Sequence, residues 1–237
     1  MAIFSHMIII QLGKLQNGGQ LMKHSQIIVY AFPVPEGKSG QQVVDLLQKE
    51  VELLGAVKTG SFNVDCETYN SVNLPGGTQR LIHVLHNNEQ PASCFSVLDT
   101  GTTLIADVLF EVLIAKITQV KAGKDPFYQQ RKGFKMESKG PRYELSDFVI
   151  KIGSVSMASN FKGILVEVEY CPCSIPNECW NLMRELMQSF LGNVAETPPT
   201  LVKNKMDAFY TPGDTINQYL EHFTNFRKQT NVNQPIR

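Results

Sequence analysis

The sequence lacks most features that mark a catalytic, secreted or membrane-spanning protein. Its 22 Lys and Arg residues balance 22 Asp and Glu residues, so the net charge is zero. A neutral chain has no overall attraction for nucleic acid or for a membrane surface. No apolar run is long enough to span a bilayer, and no basic residue precedes the short run Met7–Ile10 as it would in a signal peptide. G-x-S-x-G, the phosphate-binding loop and G-x-G-x-x-G are all absent, which excludes the commonest hydrolase and nucleotide-binding signatures.

Cysteine is scarce, and its spacing is irregular. The chain has 5 cysteines, an odd number that argues against a secreted disulfide framework and favours free thiols in a reducing compartment. Cys171, Cys173 and Cys179 are close enough in sequence to suggest a zinc site. They have no second C-x2-C pair and no nearby histidine to complete four ligands, so buried or idle thiols are the favoured interpretation.

The length and hydrophobic content of the chain suffice for one well-packed domain. The chain has 237 residues, of which 43% are hydrophobic, enough for a single core. Residues 1–26 are glycine-containing and mostly polar, and we predict a disordered extension there. Residues 27–230 are predicted to form the domain, and 231–237 a frayed tail.

Short β-prone segments separated by turn residues predict an antiparallel meander. Tyr143–Met157 is predicted to form one or two strands with a turn near Gly153, and a further turn is predicted at Leu74–Gly77. The other predicted strands are Gln26–Phe32, Val57–Thr68, Arg80–His86, Ser93–Leu98, Thr102–Ala106 and Gly163–Tyr170.

Helical periodicity appears in four places. Ser39 and Gln42 have the spacing of a capping box ahead of the first helix, which Gly55 closes. A second helix follows Asp107, a third spans Pro176–Leu191, and a fourth starts at Thr211 and Pro212. The fourth helix is predicted to bury an apolar stripe of Ile216, Tyr219, Leu220, Phe223 and Phe226. These elements predict an α+β fold in which an antiparallel sheet curls into an open barrel beside three or four helices.

The strand Gly163–Tyr170 carries the chain's most informative polar pattern. Alternate side chains of a strand face the same way, so Glu167 and Glu169 share one face. Asp65 and Glu67 form a similar pair, and two such pairs on neighbouring strands could hold a metal ion in a barrel lumen. The alternative is the wet side of a half-buried sheet. The pattern faintly resembles the Glu-x-Glu strands of tunnel-type triphosphatases, but Cys171 replaces the lysine that often follows there.

A basic segment offers a second candidate site. Lys121–Arg142 has neither helical nor strand periodicity and carries seven Lys and Arg residues against two acids. We predict a mobile loop. Its aromatic residues Phe127, Tyr128 and Phe134 could stack on nucleic-acid bases while the cations contact phosphates. A merely solvated loop is the alternative.

Many segments, in order, resemble the Mediator subunit 20 family, a component of the Mediator head module also described as TRF-proximal protein. The resemblance runs from about Ile28 to Arg237. The segments that carry it include Pro35–Ser39, Phe62–Tyr69, Leu104–Asp107, Arg142-Tyr143, Asp147-Phe148, Gly163–Tyr170, Cys179-Trp180, Gln188–Gly192, Gln218-Tyr219 and Arg227–Gln229.

The resemblance implies a β-barrel similar to that of Mediator subunit 18 and distantly similar to tunnel triphosphatases. It implies a nuclear, non-catalytic subunit without cofactor, metal or catalytic residues, which links gene-specific regulators to RNA polymerase II. It further implies pairing with subunit 18 and tethering by a C-terminal helical segment of subunit 8; the contacting residues are unknown. A metal-dependent phosphohydrolase built on Glu167 and Glu169, and a nucleic-acid binder acting through Lys121–Arg142, are the alternatives.

Overall fold

A computed structural model describes residues 25–72, 80–118 and 128–232. The strands are β1 (Gln26–Phe32), β2 (Val57–Ser71), β3 (Leu81–Asn87), β4 (Ser93–Leu98), β5 (Thr103–Asp107), β6 (Tyr128–Gln130), β7 (Met136–Leu145), β8 (Phe148–Met157) and β9 (Asn160–Tyr170). The helices are α1 (Gly40–Leu53), α2 (Leu109–Thr118), α3 (Pro176–Leu191), α4 (Thr200–Lys203) and α5 (Pro212–Val232), with a 3-10 turn at Gly192–Ala195.

The strands form one antiparallel sheet in the order β1-β9-β8-β7-β2-β3-β4-β5, and β6 pairs with the far end of β2. Helix α5 contacts β1 at one end of this order and β4 and β5 at the other. The sheet therefore curls around α5 as a half-barrel. The predicted α+β class with a barrel-like sheet is confirmed.

The two faces of the sheet bury separate cores. On the outer face, α1 and α3 cover the β1-β9-β8-β7 half, where Ile150, Val166 and Val168 lie. On the inner face, the aromatic side of α5 packs against residues of β1, β2 and β9. The stripe predicted for this last helix is buried at Ile216, Tyr219, Phe223 and Phe226, while Leu220 is partly buried.

Several helix ends agree with the local sequence signals that predicted them. The Ser39 side chain accepts a hydrogen bond from the Gln42 backbone, and the Gln42 side chain accepts one from the Ser39 backbone, so the predicted capping box is present. The third predicted helix has the expected bounds, and Gly192 follows it with φ +60°. At the start of α5 the capping acceptor is the Asp214 carboxylate, which accepts from the Thr211 N–H and hydroxyl groups.

The predicted basic loop Lys121–Arg142 is wrong over much of its length. Residues 128–130 form β6, and Met136–Leu145 forms β7, a central strand paired with both β2 and β8. Within β7 only Met136, Ser138 and Tyr143 are buried, so the apolar signal of the strand was too sparse to detect. Residues 119–127 lie outside the described residues, as does the turn predicted at Leu74–Gly77.

The turn predicted near Gly153 is also wrong. The chain reverses at Ser146, whose φ is +52°, and β8 runs straight through Gly153. A Cβ atom at Gly153 would lie 2.4 Å from the Ser138 Oγ atom and 2.7 Å from the Phe62 ring. Glycine stands here because the inner core approaches the strand closely, not because the chain turns.

Candidate functional site

Glu167 lies inside the half-barrel. Lys151 lies opposite Glu167 on the neighbouring strand β8. The Lys151 Nζ atom is 2.7 Å from the Glu167 Oε1 atom. The Tyr219 hydroxyl of α5 donates to the second carboxylate oxygen at 2.6 Å. Lys151 is 3% exposed and Glu167 1% exposed, so water does not screen this pair. Both oxygens of the predicted metal-ligating carboxylate are engaged by groups of the chain itself.

The charged cluster extends toward the rim of the barrel through Glu89. The Glu89 carboxylate contacts the Lys151 ammonium group and also accepts from the Arg142 Nε atom at 3.0 Å. Arg142 in turn donates to Glu144 and to the Thr59 hydroxyl, each at 2.6 Å. A buried cation is thus balanced by a buried carboxylate and by one at the rim, as buried charges require.

The surroundings of Lys151 and Tyr219 raise the pKa values of both groups. Burial alone would lower the pKa of Lys151, but the Glu167 and Glu89 carboxylates outweigh it and raise that pKa. Burial, followed by the Glu167 charge, raises the pKa of Tyr219 well above its ordinary value. Lys151 is therefore charged and Tyr219 neutral at any physiological pH. Neither group is poised to exchange protons near neutrality, as a general acid or base would be.

Helix α5 is tied to the edge of β1 by side chains. The Gln218 side chain accepts from the Val29 N–H group at 3.0 Å and donates to the Ile27 carbonyl at 3.1 Å. His222 lies within hydrogen-bond distance of the Val29 carbonyl, at 3.0 Å. These contacts satisfy backbone groups that a neighbouring strand would otherwise take. The helix is thus fixed inside the barrel by polar contacts as well as by its aromatic side.

The sequence interpretation of the acidic pairs requires two corrections. Glu167 and Glu169 are buried, at 1% and 9% exposure, so the wet-face alternative is wrong. The two pairs also do not converge, because β8 and β7 separate β9 from β2. Phe62 and Cys66 lie in the inner core with Leu165, so the alternating Asp65 and Glu67 face the opposite side of the sheet. Within the described parts of the chain, no three His, Cys, Asp or Glu side chains group as metal ligands.

Asp65 and Glu67 form their own cluster on the outer face. Lys135 lies 3.3 Å from Asp65 and 3.4 Å from Glu67, and His86 Nδ1 lies 3.2 Å from Asp65. His86 also pairs with Glu111 of α2. Hydrogen bonding to Asp65 leads the causes that raise the pKa of His86 to about 10. The cluster therefore fastens α2 and the start of β7 to the outer side of the sheet.

The described part of the basic segment lines a small cavity. A cavity of about 230 Å³ is lined by Glu67, Thr68, Gln130, Arg131, Lys132, Gly133 and Lys135. Arg131 stacks on Phe134, with 4.3 Å from the guanidinium carbon to the ring centroid. Tyr128 packs against a separate buried cluster of Ile82, Val84 and Cys94. Phe127 lies outside the described residues. The aromatics predicted to stack on bases are therefore engaged by the protein wherever they are described.

None of the five cysteines, all of which the structure describes, forms a disulfide. Cys66, Cys94 and Cys179 are buried. Cys179 lies at the start of α3, and burial together with the Cys173 thiol raises its pKa to about 12. A thiol with so high a pKa is a poor nucleophile near neutral pH.

Sequence reasoning missed the partners that complete the inner cluster. Lys151 stands in the otherwise apolar run Phe148–Ile152, and a lone cation there was the one local signal of a buried ion pair. Tyr219 had been assigned only to an apolar stripe. Glu89 lies in the turn between β3 and β4 and carried no signal, because its contacts depend on how the sheet curls.

Known proteins resemble this chain over most of its length. The family described as "TATA-binding related factor (TRF) of subunit 20 of Mediator complex" matches residues 22–224. The protein named mediator of RNA polymerase II transcription subunit 20 is 53% identical in Anopheles gambiae over 211 residues, covering 84% of this chain and 93% of the relative. Its Aedes aegypti counterpart is 51% identical over 216 residues, covering 86% and 94%.

A solved structure resembles the chain only distantly. The PH1012 protein from Pyrococcus horikoshii OT3 has a TM-score of 0.40 and 15% sequence identity, covering 70% of this chain and 90% of that one. No helix among the described residues is both long enough and apolar enough to cross a membrane.

Proposed function

The chain belongs to the Mediator subunit 20 family, and from that premise we propose that it acts in the Mediator head module by protein binding alone. Through the complex it helps couple gene-specific regulators to RNA polymerase II. The main support for a non-catalytic role is that both carboxylate oxygens of Glu167 are engaged within the chain. Its two oxygens are taken by Lys151 and Tyr219, and α5 fills the inside of the barrel where a substrate would enter.

The proposed partners are Mediator subunit 18 and a C-terminal helical segment of subunit 8, and the proposed location is the nucleus. Exposed apolar side chains on the chain's surface support a binding role. Leu53 is 79% exposed, Leu109 65% and Phe209 70%. An obligate partner would cover more than about 1,000 Å² in total, which apolar residues of this kind help to stabilise.

The direct experiment is co-expression of this chain with subunit 18 and the subunit 8 segment, followed by size-exclusion chromatography. We expect one stoichiometric peak that contains all three chains. The matched control replaces subunit 18 with an unrelated barrel protein and should give no joint peak. A monodisperse, stable lone monomer that elutes apart from subunit 18 would contradict the pairing but not the family membership.

Catalysis is tested separately. Incubating the chain with a nucleoside triphosphate and Mn²⁺ should release no phosphate above the level of a Glu167→Gln variant. Phosphate release that the variant abolishes would overturn the non-catalytic proposal. A fluorescently tagged chain should accumulate in the nucleus, and cytoplasmic retention would contradict the proposed location.

A further inference from the structure

The sheet has several stretches of edge that no strand within the described residues pairs with, and the three longest concern β1, β2 and β5. They are the outer edge of β1, the first half of β2 and the outer edge of β5. Residues of β2 pair with β3 only from Val64 onward, so Val57–Phe62 is paired on one side, by β7. An unpaired edge offers backbone N–H and C=O groups to another chain, and proteins usually protect such edges.

The β1 and β2 edges are protected against pairing with a strand of another chain. The β1 edge is covered by α5, because Gln218 and His222 take the outward backbone groups of Ile27 and Val29. The β2 edge has an irregular register between Lys58 and Gly60, and a bulge together with an edge lysine discourages pairing. Asn88 closes this edge at its far end by bonding to Asn63.

At the β5 edge, no described side chain takes the outward backbone groups and the register is regular. Helix α5 contacts β5 through the side chains of Asn217 and Thr103, which are hydrogen-bonded to each other. The Leu98 N–H donates to the Thr102 carbonyl, and the Val108 N–H donates to the Ala92 carbonyl, so the even-numbered backbone groups face β4. In an antiparallel ladder the alternate residues face away, which turns the N–H and C=O groups of Thr103, Ile105 and Asp107 outward. The strand contains no proline, lysine or bulge. Its three outward residues form a short but regular row of donors and acceptors.

An exposed apolar stripe continues directly from this edge. Val108, which follows β5, is 39% exposed, and at the start of α2 Leu109 is 65% exposed and Val112 48%. Leu109 and Val112 are three residues apart on a helix, so they lie on one face. An extended peptide that adds to an open sheet edge gains main-chain hydrogen bonds there, and apolar side chains beside the edge offer contacts to its own side chains.

We infer that the surface formed by Thr103–Asp107, Val108, Leu109 and Val112 is a docking site for an extended segment of another protein, which adds to the sheet beside β5. This inference rests on the proposed function, because it supplies a contact for a binding subunit. The Asp107 carboxylate flanks the surface, whereas Glu111 is paired with His86. A segment carrying a lysine or arginine beside Asp107 therefore fits best. A second copy fits less well, since its own Thr103–Asp107 strand carries no cation.

Hydrogen–deuterium exchange tests the site in the intact assembly. The tagged full-length chain is measured free and within purified Mediator, and the amides of Thr103–Asp107 are compared. We expect the Ile105 amide to exchange at least about tenfold more slowly in the assembly. Equal exchange in both states, with Mediator subunits present in the sample, would overturn the docking site and leave the proposed function intact. Recovery of no Mediator subunits would instead contradict the proposed function.

Matched variants give a second measurement. The double change Leu109→Asp and Val112→Asp should reduce incorporation into Mediator by about tenfold at unchanged melting temperature. The control Leu182→Asp, at a 47% exposed position of α3, should leave incorporation unchanged. Slow exchange of Ile105 in the free monomer would show that the chain covers this edge itself, and would overturn the inference. A homodimer that protects Ile105 and is lost in the double variant would assign the edge to a second copy, and would also overturn it.

Discussion

At the scale of single residues, we expect substitution of Lys151 to have the largest electrostatic effect on stability. It is 3% exposed and neutralises Glu167 at the centre of the inner face. Such a pair is not a reliable source of stability in itself, because desolvating both charges costs several kcal/mol. Removing one partner is strongly destabilising, since the other charge then remains buried without compensation.

Replacing Lys151 with methionine should therefore lower the free energy of unfolding by about 3–5 kcal/mol. Urea titration monitored by circular dichroism provides the measurement. The double variant Lys151→Met with Glu167→Gln should recover much of the loss, because no net charge stays buried. Lys139→Met, which breaks an exposed pair with Glu137, is the control and should change stability by less than about 1 kcal/mol. A loss in Lys151→Met no larger than in this control would contradict the role assigned to the ion pair.

A second prediction at this scale concerns pH. Burial lowers the pKa of His83 from 6.5 to about 4, and its Nδ1 atom lies 3.0 Å from the Thr68 hydroxyl. The unfolded chain binds a proton at His83 near pH 6.5 and the folded chain only near pH 4. Stability from this group is therefore complete above pH 6.5 and declines as the pH falls toward 4.

Replacing His83 with glutamine should flatten the decline in unfolding free energy between pH 7 and pH 5. His86 is the matched control. The pKa of His86 is raised to about 10, so its stabilisation is complete below pH 6.5 and is lost only as the pH rises toward 10. His86→Gln should lower stability without changing the slope in the acidic range. An unchanged slope in His83→Gln would show that other groups dominate acid sensitivity.

At the scale of elements, helix α5 determines the shape of the sheet. Its aromatic side supplies the inner core, and Gln218 replaces a strand at the β1 edge. Gln218 also donates to the Tyr210 hydroxyl at 2.7 Å, which links the helix to the segment before it. The contact of α5 with both ends of the strand order keeps the half-barrel curled.

The change Gln218→Leu should lower the free energy of unfolding by about 1–3 kcal/mol, because it leaves buried β1 backbone groups without partners. It should also speed amide exchange at Val29, which loses its acceptor. Gln229→Leu, on the exposed side of the same helix, should alter neither property. Fast exchange at Val29 in the wild-type chain would contradict the view that Gln218 seals this edge.

At the scale of the whole molecule, the described residues form one body in which the last helix completes the first strand. Residues 218 and 29 are far apart in sequence yet hydrogen-bonded, so the fold cannot close until nearly the entire chain is available. This supports the proposed domain of residues 27–230. Limited proteolysis should leave a core close to these bounds.

Truncation before Thr211 should convert the chain into an aggregating species. It removes Ile216, Tyr219 and Phe223 from the inner core and leaves Glu167 and Lys151 facing solvent-accessible space. Static light scattering and thermal melting are the measurements. Deleting only 231–237 is the control and should leave the melting temperature within about 2 °C, since the residues that α5 contributes to the inner core all precede position 231. A soluble, cooperatively melting truncation would contradict the central role given to α5.

The sequence by itself determined the periodic elements and the family. Alternation in Gly163–Tyr170, the Ser39 capping box and the bounds of α3 are local properties, written in neighbouring residues, and each was predicted correctly. The long ordered series of matching segments placed the chain in its family for the same reason, because such matches do not require knowledge of how strands pair.

Only the tertiary structure decided what the polar residues do. Strand alternation put Glu167 and Glu169 on one face but could not say whether water or α5 covers that face. Register brought Lys151 opposite Glu167, and the curl of the sheet brought Glu89 to Lys151. The strand order kept Asp65 and Glu67 away from this cluster. Pairing on both sides likewise made β7 a central strand despite its charged sequence. Burial and register are long-range properties, set by contacts between residues distant in the chain, and no local pattern contains them.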